Sequence, residues 1–170
     1  LKTWDGQIDA RVAGVAFPPL AAWLSLPYQP HAGWGALTVR FDIAAGALAG
    51  VGAAVDLRGV DTALGAELPP LKVAQVRGQA SWKRSAQGQR VAFENLRVAL
   101  PGRPLSEPFN VGLAWDGTDH ELTARSLRLG AWQSVLPSLP LHDVLRARLQ
   151  YLQPQGMLDS LRLRWTGELP

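Results

Sequence analysis

The chain has 170 residues, a net charge of +3 at pH 7 and no cysteine, so a disulfide scaffold and thiolate metal sites are excluded. Charged residues make up 18% of it, below the ~25% usual for soluble domains, while 47% are apolar. Such a balance is expected of a protein with more apolar surface to hide than its core needs, or of a sequence biased toward Ala, Gly, Pro and Arg.

The cations are mostly Arg and are dispersed (Arg40, Arg58, Arg77, Arg97, Arg125, Arg128, Arg162, Arg164) between apolar residues. That is the pattern of a solvated strand face; a nucleic-acid footprint would cluster, and no nucleic-acid partner is expected. No run approaches the ~18 apolar residues of a membrane span, and no leader pattern is present. The chain opens on Leu1 and not on Met. It is expected to be a segment of a longer protein, with any anchoring part outside it.

In chain order, Trp4-Asp5-Gly6 makes a turn and Ile8 to Val15 a strand. Pro18-Pro19 open a helical turn through Leu20, Trp23 and Leu24, a short helix near 18–26 that Pro27 and Pro30 end. Ala36 to Ile43 alternates: Leu37, Val39, Phe41 and Ile43 take one face, Thr38, Arg40 and Asp42 the other. Ala44-Ala45-Gly46 turns into a partner strand, Leu48 to Leu57, and Gly59 to Pro70 reads as a loop. Leu71 to Trp82 and Val91 to Leu100 form a hairpin about Ser85 to Gly88. Pro101, Gly102 and Pro104 break the chain before Phe109, Val111, Leu113 and Trp115 alternate again.

Trp115 to Pro140 then repeats the order of Trp4 to Pro27: Trp-Asp-Gly, Ala-Arg, an apolar strand end, spaced leucines and Leu-Pro. Repeat units of roughly 4–114 and 115–170 follow, within 1–170 as one segment of a larger repeating protein. The spacing is far longer than the ~40–45 residues of a propeller blade. Leu141, Val144, Leu145, Leu149 and Leu152 share a helical face, which places helix within 131–152 before Pro154 and Gly156 stop it. Met157 to Trp165 is the last strand.

Several strands slip phase. Phe93 is followed by Leu96, Ala124 by Leu127, Leu158 by Leu161, and Leu48 by Val51. A slip swaps the buried face unless a bulge absorbs it. Bulges or bends are therefore expected near Glu94-Asn95, Arg125-Ser126 and Asp159-Ser160; otherwise the strands end there. Tight turns make the neighbours antiparallel. The fold class is mainly β, with too little helix to cover the sheet. Either the sheet closes on itself or one apolar face stays open as a groove.

No chemical constellation emerges. His31, His120 and His142 lie far apart without ligand spacing and read as loop residues, so no metal is expected. Asp5 and Asp116 occupy matching turns, where Asp favours the backbone geometry. Gly46 to Gly52 is Gly-rich, but no Lys-Ser/Thr follows as in a phosphate loop. No catalytic residue and no cofactor is assigned.

Three stretches together resemble the YhdP family of AsmA-like, TamB-related proteins. They are GALTVRFDIAAGALAGVGAAVDLRGVDTAL, VRGQASWKRSAQGQRVAFENLRVAL and LPLHDVLRARLQYLQPQGMLDSLRLRW. The most specific part is Leu152 to Trp165, where Leu-x-Pro-x-Gly leads into Leu-x-x-Leu-x-Leu-x-Trp. Where the family pattern often has an acidic residue before the first hairpin Gly, this chain has Ala45. The resemblance implies a Gram-negative envelope protein, anchored in the inner membrane and reaching through the periplasm. It implies a curled antiparallel sheet of repeated hairpins around an open apolar groove that moves phospholipids toward the outer membrane.

On that reading the groove is lined by Leu37, Val39, Phe41, Val55, Leu57, Val111, Leu113, Leu161 and Leu163. Its partners are phospholipid acyl chains and envelope proteins, with membrane contact made outside this segment. The rival expectation is a structural or docking β-domain in which the same residues form a closed core.

Overall fold

The computed structural model describes residues 4–16, 18, 29–65, 67–85, 88–139 and 143–167. Eight strands follow one another as β1 (Gly6–Ala16), β2 (Gln29–Ala44), β3 (Ala47–Ala63), β4 (Leu71–Ser85), β5 (Gly88–Ala99), β6 (Phe109–Asp116), β7 (Asp119–Arg128) and β8 (Met157–Thr166). Each pairs antiparallel with the next in a single sheet, and β1 and β8 form its two open edges.

This is what alternating strands joined by short turns dictate. Ala45 and Gly46 both take positive φ, 52° and 76°, in the β2–β3 turn, and Gly117 takes 57° in the β6–β7 turn. These turns and the one after Ser85 lie at one end of the sheet. The long connections, 64–70, 100–108 and 129–156, all lie at the other.

Both Trp-Asp-Gly copies sit at the tight-turn end. Asp5 Oδ1 accepts from the Ala45 amide at 2.5 Å, and the Gly46 amide donates to the Trp4 carbonyl at 2.9 Å. The second copy is the β6–β7 turn itself, whose Thr118 carbonyl accepts from the Gly167 amide at 2.9 Å. From each copy a strand runs to the far end, so the shared sequence marks a shared position in the sheet.

A line of backbone breaks crosses the strands nearer the long connections. The β5–β6 register shifts between Phe93 and Leu96, where Asn95 takes φ 51°. Ser126 takes φ 58°. It and Asp159 are both skipped, since the ladder passes from Arg125–Ser160 to Leu127–Leu158. Here the two sequence slips face each other and cancel, so the register is unchanged on either side. The Leu48–Val51 slip is absorbed by Ala49, with Leu48 pairing Ile43 and Gly50 pairing Asp42.

Three further breaks, at Gly14, Gly33 and Gly59, carry φ of 68°, 140° and 58°. Gly59 corrects an expectation. It does not begin a loop; β3 runs through it to Ala63, with Val60 paired to Val73 beyond. Glycine adopts this left-handed conformation at no steric cost.

Of the helical expectations, the one near 18–26 falls, Pro18 apart, outside the described residues. The 131–152 region divides into a 3-10 helix, Leu129–Ser138, and an α-helix, α1, Asp143–Leu152. Pro137 lies within the first. The leucine face of α1 is not a core face: Val144, Leu145 and Leu152 are exposed, Tyr151 is 88% exposed, and none of the residues of α1 is buried. Among the described residues no helix is long and apolar enough to cross a membrane.

The core is small and lies toward the long-connection end. Val60, Val73, Ala99, Phe109, Val135 and Leu136 are buried there, and Trp132 meets Phe109 edge to face with ring centroids 5.1 Å apart. Among the described residues no large side chain is fully buried. The accessible surface is 11450 Å², against about 8,200 Å² for a compact monomer of this mass.

Candidate functional site: the apolar face of the sheet

Direct partners in an antiparallel ladder point to the same face, so the registers sort every strand residue. Leu37 pairs with Val55, Phe41 with Val51, and Gly35 with Leu57. Val55 then pairs with Gly78 and Leu57 with Val76. Ala80 pairs with Phe93, Phe93 with Val111, Val111 with Ala124, and Ala124 with Leu161. Val91 pairs with Leu113, Leu113 with Leu122, and Leu122 with Leu163.

The predicted positions Leu37, Val39, Phe41, Val55, Leu57, Val111, Leu113, Leu161 and Leu163 therefore all lie on one face. Leu161 and Leu163 are exposed and the other seven half-buried. Sequence reasoning missed the residues that complete the same rows, chiefly Ile8 and Val12 on β1, Trp82 on β4, Phe93 on β5 and Leu122 on β7. The alternation of each strand, carried across each hairpin turn, was the signal that could have found them.

Close approach shapes the middle of this face. A Cβ at Gly78 would lie 3.0 Å from the Leu96 Cα, and one at Gly35 would fall on the Asp56 carbonyl. Among the described residues the face is covered only at its long-connection end. There Val98, Leu100, Leu105, Phe109, Ala131 and Trp132 line a cavity of about 300 Å³. Arg128 Nη2 donates to both carboxylate oxygens of Glu107 at 3.0 Å on its border.

The opposite face is polar and held by cross-strand pairs. Arg40 Nε donates to Asp9 Oδ1 at 2.8 Å, and Gln7 Nε2 to Asp42 Oδ1 at 3.0 Å. Asp56 accepts from Gln75 Nε2 at 2.8 Å and faces Arg77 Nε at 3.1 Å. Glu121 accepts from Arg164 Nε at 2.6 Å, with Arg162 Nε 3.9 Å away. The Arg164 hydrogen bond, aided by the charges of Arg164, Arg162 and Arg90, holds the Glu121 carboxyl below the ordinary carboxylate range. The hydrogen bond to Asp9 raises the Arg40 guanidinium in the same way. Exposed pairs of this kind are screened by solvent, so they set the face's character more than its stability.

His120, expected in a loop, lies within β7 on the apolar face, stacked on Trp165 with centroids 5.1 Å apart. His31 lies 3.6 Å from Asp61, and His142 falls outside the described residues. Asp119 accepts from Thr166 Oγ1 at 3.1 Å beside the β6–β7 turn.

No curated protein and no solved structure matches the chain. The profile of the YhdP protein family matches residues 1–169, essentially the whole sequence, and the chain belongs to that family.

Proposed function

We propose that this chain is a segment of a conduit that carries phospholipids between the inner and outer membranes of a Gram-negative envelope. One observation carries the reading: one face of an eight-stranded sheet is apolar in its inner rows and, among the described residues, covered only at one end. Exposing an acyl chain to water costs about 0.8 kcal/mol per CH₂, so a chain of roughly sixteen carbons stands behind a penalty of about 12 kcal/mol. A continuous apolar face removes that penalty at every step of the path. It needs many similar apolar positions and no precise polar constellation, which is how this face is built.

The function is binding and passage, with no chemical step assigned. The segment works in the periplasm, and inner-membrane anchoring and envelope-protein contacts belong to regions outside it.

Photo-crosslinking from Val39 and Leu113 in living cells tests this. Phospholipid adducts at both positions are expected. Failure to capture lipid at either, together with side chains closed to solvent-borne labels, would overturn the conduit and favour a docking domain whose apolar face is covered by other parts of the protein.

A further inference from the structure

The geometry points to an orientation for the lipid on this face: its anionic head rests along the tight-turn rim and its acyl chains lie along the strands toward the Phe109 end. This rests on the conduit reading and adds to it a headgroup subsite.

The last row of the apolar face before the tight turns is continuous across five strands. Arg84 pairs with Gln89, Gln89 with Trp115, Trp115 with His120, and His120 with Trp165. Every member carries a polar tip. The next row inward, from Trp82 through Val91, Leu113 and Leu122 to Leu163, has a single polar atom, the Trp82 Nε1 that donates to Gln89 Oε1 at 3.2 Å. The row after that has none.

Among the described positions of this face between the tight turns and the line of breaks, Arg84 is the one charged residue. Its guanidinium carbon lies 5.4 Å over the Trp82 ring, and no carboxylate among the described residues pairs with it. A solitary cation bordering an apolar face, stacked on an indole, complements a phosphate joined to an apolar body. Indole and imidazole rings, apolar in body and polar at one atom, suit the same boundary.

The dimensions agree. Trp115 to Phe109 along β6 is six steps, about 20 Å, about two-thirds of the ~30 Å hydrocarbon thickness of a bilayer and longer than one leaflet's half of it. One acyl chain therefore fits between the rim and the covered end at Trp132. A lipid lying this way moves sideways across the strands, its head passing from residue to residue of the rim and its tails from row to row.

Two phosphatidylglycerol probes test the orientation on the intact protein, one with a photoreactive diazirine on the head, the other with it at the chain terminus. Head adducts are expected on peptides holding Arg84, Trp115 and Trp165, and chain-end adducts on those holding Phe109 and Trp132, with about fivefold partition. An even or reversed partition overturns the orientation and leaves the conduit standing; no adduct with either probe overturns both. Arg84→Gln should weaken phosphatidylglycerol retention about three- to fivefold and leave diacylglycerol retention unchanged. Equal loss of both lipids overturns the anionic subsite, as does displacement of the head probe by millimolar inorganic phosphate, which would mark a site for the free anion.

Discussion

Leu37, Val39 and Phe41 alternate along β2 with Thr38, Arg40 and Asp42, yet the two faces they make are settled by different interactions. On the polar face Asp9, Asp42, Asp56 and Glu121 each find a partner on the neighbouring strand, so much of that face is satisfied within the chain. On the apolar face the side chains meet one another but, among the described residues, no covering layer except where the 3-10 helix closes over Phe109. A sheet that leaves one face uncovered in this way is finished only when something apolar lies on it, and the contrast can be tested residue by residue.

The largest effect is expected where the apolar face is covered. Phe109 is 4% exposed, and Phe109→Ala should cost about 3–5 kcal/mol in denaturant unfolding. Leu163, on the same face and 45% exposed, should lose under about 1 kcal/mol on change to Ala, because little packing is removed. Equal costs would mean that the face is uniformly buried, and the contrast between covered and open regions would fall.

A charge placed on each face separates function from folding. Leu113→Asp should cut phospholipid transfer at least about tenfold, since the lipid would have to desolvate the carboxylate, with little change in thermal midpoint. Ala114→Asp, the next residue on the polar face, should change neither. Unfolding by Leu113→Asp would instead establish a closed core.

The sequence made this two-sidedness legible because alternation survives wherever a strand is regular. All nine predicted positions share a face for that reason. The breaks were legible only where two apolar residues stand three apart, as at Phe93 and Leu96. At Gly59 and Gly33 the residue at the break is itself glycine, which reads equally as a loop, and β3 continues through it unannounced. The α1 pattern was read correctly as helix, but its shared apolar side says nothing of what covers it. Periodicity reports which residues share a side, and the neighbours alone decide whether that side is covered. His120 was missed because a histidine in the second Trp-Asp-Gly region resembles a loop residue until the register sets it against Trp165.

The line of breaks gives a smaller effect. Asn95 has φ 51° and its amide donates to Asn110 Oδ1 at 2.8 Å. Asn95→Gly should be nearly neutral, whereas Asn95→Val forces a β-branched residue into left-handed backbone and should cost about 1–3 kcal/mol of stability. If both variants are neutral, the break is not built into the strand, and the curl of the sheet has another origin.

The smallest effect belongs to the polar face and depends on pH. Because Arg164 holds the Glu121 carboxyl below its ordinary range, the folded state favours the ionised form. The stability this supplies is present above the unfolded carboxylate's pKa of about 4.3 and is lost as pH falls through the lower folded value. Glu121→Gln should therefore lie slightly below the wild type in thermal midpoint near neutral pH, converge with it as the solution is acidified, and lose part of its deficit in high salt, where exposed charges are screened. Lipid retention on the apolar face should be indifferent to the same salt in its aliphatic rows and sensitive only at Arg84. A deficit unchanged by acid and salt would show that Glu121 acts through packing, and the division of labour between the two faces would no longer run along charge.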